Sequence, residues 1–176
     1  MKIKSLLFIT YLILFSFNSI SQNKERKFKI HTLAFYNLEN LFDTINDVNK
    51  NDEASPIMEI KFNRSGIYKQ KIANMAKVIS EIGYDVTNRP PTIVGICEVE
   101  NRKVVEDLIS DEKLKNYNYG IVHYESPDDR GIDVGLIFNK DVFKVKNSNS
   151  HDVFITGNNS SKRRNTRDQL VVSGLL

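Results

Sequence analysis

The chain has 176 residues, with 25 basic and 22 acidic side chains and a formal net charge of +3. That length supports one domain with a real core and is too short for two ordinary ones. So small a charge does not point to a general polyanion binder, and a single cysteine, Cys97, excludes an internal disulfide.

The chain opens on a leader pattern. Lys2 and Lys4 form a basic start, residues 6–17 are apolar, and Ser19 and Ser21 stand at small-residue positions before Gln22. This predicts a cleaved secretory signal over residues 1–21, with an uncleaved anchor as the alternative; the apolar stretch is short for a membrane span. It carries no cysteine for a lipid anchor. The expected location is therefore the periplasm or the exterior, with no transmembrane anchor after cleavage.

After a polar segment at 23–27, residues 28–36 read as the first strand, and residues 37–43 begin a turn over Leu38, Leu41 and Phe42. Residues 44–63 are rich in Asn, Asp and Glu without periodicity, which predicts a long loop. Ile67, Ile72, Met75, Ala76, Ile79 and Ile82 recur at helical spacing and predict a helix over 65–82, capped by Ser65 and closed by Gly83. Pro90 and Pro91 separate it from a strand over 92–97, where Cys97 reads as a small buried hydrophobe. Asn101 is placed to cap a second helix bearing Val104, Val105, Leu108 and Ile109. Short β-rich runs follow at 118–124, 132–138, 142–146 and 169–172, with a polar, basic loop at 158–166. The order β-α-β-α and then strands predicts a layered α/β domain with mixed sheets. The last run reads as the approach to a hairpin without its return strand, which leaves an unpaired sheet edge.

Two apolar runs end in polar groups. FKIHTLAFYNLEN carries Asn37 near its end, and IVGICEVEN carries Glu98. Ligands of α/β sheets gather at the carboxyl ends of strands. If these two ends are neighbours, an amide and a carboxylate would present oxygens to one small, hard cation, which often bridges to a substrate phosphate. Asn37 also has a plainer reading as a turn residue, and Glu39, Asp43 and Glu100 read as turn and rim groups. Tyr124 reads either as a half-buried strand tyrosine or as a substrate contact. Lys162, Arg163 and Arg164 read as a solvated loop, since no aromatic residue is interleaved for base stacking.

The segments FYNLENLFD (residues 35–43), ICEVEN (96–101), YESPDDRGIDVGLIF (124–138) and TRDQLVVSG (166–174), in that order, resemble the N-terminal half of the endonuclease/exonuclease/phosphatase superfamily in its exported bacterial branch. The resemblance covers residues 28–176. It implies an α/β fold, the N-terminal part of a four-layer sandwich of two mixed β-sheets flanked by helices, with the sheets incomplete in this chain. It implies a phosphoester hydrolase using Mg²⁺, or Mn²⁺ or Ca²⁺ in its place. By position, Glu98 resembles the metal-binding glutamate and Asn37 the amide at the metal site or phosphate. Arg167 stands where the family places an arginine on the substrate phosphate. Asp133 resembles a carboxylate that orients a catalytic histidine.

The residue types suit that chemistry. A carboxylate holds the cation, an amide touches phosphate without adding repulsion, and arginine grips phosphate oxygens in a fork. The resemblance also implies a later histidine, a GDFND-like segment and a terminal Asp-His pair, none of which follows Arg167 here. The chain alone is accordingly expected to be inactive, and its half sandwich to expose an inner sheet face and associate. Of the three histidines, His31 reads as structural, and none of His31, His123 and His151 matches the family's catalytic one. The expected substrate is a phosphodiester, foremost nucleic acid, with no stable protein partner. Glu100 stands where duplex-cutting members carry a basic residue, which argues against groove binding. A non-catalytic remnant and a lipid or inositol phosphate esterase are the alternatives.

Overall fold

In the computed structural model of the chain, residues 28–47, 53, 55–156 and 162–176 are described. The expected signal at 1–21 and the polar segment at 23–27 lie outside them. Four strands form the main sheet: β1 (Leu33–Leu41), β2 (Ile93–Val99), β3 (Tyr119–His123) and β4 (Asp133–Asn139), in the order β1-β2-β4-β3. β1 and β2 run parallel, while β4 is antiparallel to both β2 and β3, so the sheet is mixed.

Strand alternation divides the sheet into two unlike faces. Ala34, Tyr36 and Leu38 of β1, Val94 and Ile96 of β2, and Ile137 of β4 point to one face. There they pack against Ile72, Met75, Ala76 and Ile79 of helix α2 (Arg64–Glu81) and Val104, Val105 and Leu108 of helix α4 (Arg102–Ile109). On the other face Leu33 is 62% exposed and Phe35 is 93% exposed. Phe35 lies directly over Gly95, its register partner, where any Cβ would collide with the ring.

Several elements begin or end away from their sequence readings. β1 starts at Leu33 rather than Phe28 and runs on through Leu41. Leu38, Leu41 and Phe42 are buried, as read from the turn. The long loop holds a one-turn helix, α1 (Pro56–Glu59), pinned by Arg64, whose guanidinium donates to the carbonyls of Met58 and Ile60 at 2.6 Å each. Helix α2 is entered from Asn63 in the left-handed region, so Ser65 lies inside the first turn and caps nothing. Ile67 is exposed, because the buried stripe passes instead through Tyr68, whose hydroxyl donates to Asp107 at 2.9 Å. Gly83, at φ 67° with the Thr32 side chain against it, ends α2 as expected. A further short helix, α3 (Tyr84–Thr87), follows. Asn101 caps α4 by accepting from the Val104 N–H at 3.1 Å.

The second sheet is an antiparallel pair, β5 (Lys144–His151) with β8 (Gln169–Leu175), and β8 also touches β4. β5 extends beyond the expected 142–146 because its partner supplies hydrogen bonds to Asn and Ser residues of low strand propensity. Two-residue strands β6 (Ile155–Thr156) and β7 (Arg163–Arg164) pair, so a strand lies inside the stretch 158–166 read as a polar loop, of which 158–161 lie outside the described residues. The fold is thus mixed α/β, with helices on one face of the main sheet.

Candidate functional site

The parallel register sets Asn37 opposite Cys97, so the tips of β1 and β2 are neighbours. Beyond that pair both strands leave the ladder. Glu39 and Asn40 on β1, and Glu98 on β2, adopt left-handed backbone with φ of 50°, 56° and 61°. Glu98 is an extra residue relative to β4, where Val134 pairs with Cys97 and Asp133 with Val99. This bulge keeps Val99 in the core at full burial. A strict alternation would have put Glu98 there instead. A non-glycine residue held left-handed at a strand tip stores strain, and such positions cluster at functional sites.

The Glu98 side chain is about one fifth exposed, and its Oε1 faces Arg167 Nη1 at 3.9 Å. Arg167 reaches it from the segment just before β8. Asn37 is exposed, and its Oδ1 accepts from the Glu39 N–H at 2.7 Å. The Asn37 amide thus supports the turn of its own strand, while Glu98 meets a guanidinium.

Three groups that sequence reading passed over surround this pair. Lys71 of α2 donates from Nζ to the carbonyls of Glu39 (2.5 Å) and Asn40 (3.0 Å), tying the β1 tip to the helix. Burial lowers the Lys71 ammonium, against the raising influence of Glu39 and Glu98. Arg130 forks onto Asp128, with Nε at 3.0 Å from Oδ1 and Nη2 at 2.9 Å from Oδ2. Burial pushes the Asp128 carboxyl up, yet the hydrogen bonds from Arg130 and the charges of Arg130 and Arg167 bring it below its ordinary value. Arg130 is raised chiefly by its bond to Asp128, with help from Glu98. The Cys97 thiol, half-buried rather than buried, is raised by burial and by Glu98, while Arg167 opposes this. Glu98, Arg167, Arg130 and Asp128 therefore share one electrostatic neighbourhood. A cleft of about 420 Å³ opens beside it, lined by Asp128, Asp129, Arg130, Arg164, Asn165 and Thr166 among others. The DDRG turn was the available signal for Arg130; Lys71 had none, since a lysine at that helical position reads as solvated.

The remaining sequence candidates meet other partners. Asp133 is buried, with Oδ1 accepting from the Ser126 N–H (2.8 Å) and Oγ (2.5 Å). Its Oδ2 lies 3.3 Å from Nε2 of His123, a histidine that sequence reading left without a role. Tyr124 is exposed, and its hydroxyl donates to the Ser148 carbonyl at 3.0 Å and shares a 2.7 Å hydrogen bond with Ser148 Oγ. Glu100 is buried and accepts from the Asp43 N–H at 2.6 Å, holding the loop after β1. His31 lies at the sheet's far end, its Nδ1 3.2 Å from Thr92 Oγ1.

The model of the endonuclease/exonuclease/phosphatase family matches residues 32–176. The chain is similar to the crystal structure of an endonuclease/exonuclease/phosphatase from Bacteroides vulgatus, at 17% identity and a TM-score of 0.35. That match covers 67% of this chain and spans 34% of the other. No curated protein matches the chain.

Proposed function

The chain belongs to the endonuclease/exonuclease/phosphatase family, whose members are in general metal-dependent phosphoesterases, and on that premise we propose that it supplies metal- and phosphate-binding groups for phosphodiester hydrolysis. The observation that carries the proposal is Glu98, held left-handed on a bulge with the Arg167 guanidinium 3.9 Å from its carboxylate. The bulge keeps Val99 in the core and at the same time turns the Glu98 carboxylate out to meet a guanidinium from the segment before β8.

The residues fit a hard dication. Glu98 offers a partly exposed carboxylate, and neighbouring Asn37 offers an amide oxygen with a second lone pair beyond its bond to Glu39. Mg²⁺ is commonly held by one or two carboxylates together with waters and substrate phosphate. When bound, such an ion neutralises charge on the phosphoryl oxygens and lowers the pKa of coordinated water. Glu98 would hold it, with Asn37 beside it. Arg167, at 3.9 Å, is set to grip the non-bridging phosphate oxygens once the ion has taken the carboxylate. Arg130, forked onto Asp128, and Arg164 line the adjoining cleft. The substrate we propose is nucleic acid, acted on outside the cytoplasm after export.

The test is hydrolysis of DNA, RNA and bis-nitrophenyl phosphate by the full-length gene product, with and without Mg²⁺. The expected result is Mg²⁺-dependent turnover that Glu98→Ala abolishes. Turnover that survives chelation or survives Glu98→Ala overturns the proposal. Preference for a lipid or inositol phosphate over all three substrates overturns its nuclease part.

A further inference from the structure

A second polar cluster is built from residues other than Glu98 and Arg167, although its Asp133 pairs with Val99 beside the bulge. His123 ends β3 and Asp133 begins β4. His123 pairs with Gly135, two residues along β4 from Asp133, so both side chains stand on the same sheet face. The two side chains are 3% and 2% exposed, and neither His123 Nε2 nor Asp133 Oδ2 has a hydrogen-bond partner among the described residues. Their separation is 3.3 Å. Glu125 completes the group, with one donor atom from each residue within 4.8 Å of the others. Glu98 is not a member of it.

The two atoms form an ion pair by distance, yet neither meets hydrogen-bond geometry, so their removal from water is only partly offset. An N–H···O bond prefers roughly 2.7–3.2 Å and a straight angle. The 3.3 Å spacing also matches two donors on one tetrahedral ion. Bonds of about 2.0–2.2 Å to nitrogen and oxygen set neighbouring donors roughly 3.3–3.5 Å apart. The second Asp133 oxygen is already fixed by the Ser126 N–H and hydroxyl, the kind of outer support that orients a ligating carboxylate.

We propose that His123, Glu125 and Asp133 form a second metal site, for a transition-metal dication of the Zn²⁺ type. An imidazole in the donor set favours that class over Mg²⁺, and three protein donors leave a fourth position for water. The ion would clamp the mouth of the 124–132 connection, which carries Asp128 and Arg130 to the edge of the cleft. The inference does not depend on the phosphoesterase reading.

Co²⁺ titration of the chelator-treated chain tests it, followed by visible absorption and by Zn²⁺ competition. The expected result is one tetrahedral Co²⁺ spectrum, displaced by Zn²⁺ and not by Mg²⁺. His123→Ala and Glu125→Ala should each weaken the tetrahedral binding roughly tenfold or more. Glu125 is exposed, so its variant separates lost ligation from lost folding, with far-UV circular dichroism as the check. Absence of the spectrum, or a spectrum that neither His123→Ala nor Glu125→Ala alters, reduces the cluster to a His123–Asp133 ion pair and overturns the proposal.

Discussion

The left-handed backbone of Glu98 can be weighed by comparing two substitutions that remove the same carboxylate. Glu98→Ala and Glu98→Gly both lose the contact to Arg167, so that loss cancels between them. What remains is the backbone at φ 61°. A residue with a Cβ held in the left-handed region costs about 1–2 kcal/mol, which glycine avoids. Glycine returns about 0.4–1 kcal/mol through the greater freedom of its unfolded chain. The balance makes Glu98→Gly more stable than Glu98→Ala by about 0.5–1 kcal/mol. At an ordinary strand position the sign is opposite, with glycine worse by about 0.5–1 kcal/mol. Urea unfolding followed by circular dichroism reads the difference directly, provided both variants share one m-value. In a thermal scan it corresponds to roughly 1–4 °C for a domain of this size. An alanine variant as stable as the glycine variant, or more so, would show that the bulge stores no strain, and the argument that strain marks this tip as functional would fall with it.

Other expectations bear on the site and its support. In the full-length gene product, Arg167→Ala should lower kcat/KM for a phosphodiester roughly 10- to 100-fold, the loss of one charge-assisted contact, with Arg167→Lys restoring only part because it lacks the fork; unchanged kinetics would remove Arg167 from the substrate. Asn101→Ala should destabilise by about 1 kcal/mol through the lost Val104 N–H cap, and Asn101→Asp should not, as judged by denaturant midpoints. The depressed Asp128 carboxyl adds stability that is full above its unfolded value of about 3.9 and is lost as pH falls through the lower folded value. A pH series of unfolding curves should therefore show wild type losing a contribution below about pH 4 that Asp128→Asn never has. Phe35→Ser, at a 93% exposed position, should change stability by less than about 0.5 kcal/mol while reducing self-association in light scattering; a large drop in stability would mean that the ring's seat on Gly95 matters more than its exposure.

Periodicity and capping made the helical half of the fold legible. The stripe from Ile72 to Ile79 and the Asn101 cap follow from spacing and side-chain chemistry within one turn, and the structure places both as read. Element edges were less legible, because pairing decides them. β1 gains its last residues from the register with β2, and β5 takes in Asn147 and Ser148 because β8 is there to bond them. In α2, spacing placed Ile67 on the buried face, whereas the helix is rotated so that Tyr68 takes that position.

The sequence by itself determined which chemistry the site could hold: an amide and an acid at the ends of two apolar runs, an arginine ahead of the last strand, and four motifs in family order. Those are properties of residue type and local order, which survive without coordinates. Tertiary structure alone decided who meets whom. The bulge that turns Glu98 toward Arg167 and the Lys71 tie to the β1 tip arise between segments far apart in the chain, and the burial of His123 against Asp133 arises from the pairing of two consecutive strands. Such contacts depend on register and sheet order, which local propensities do not encode.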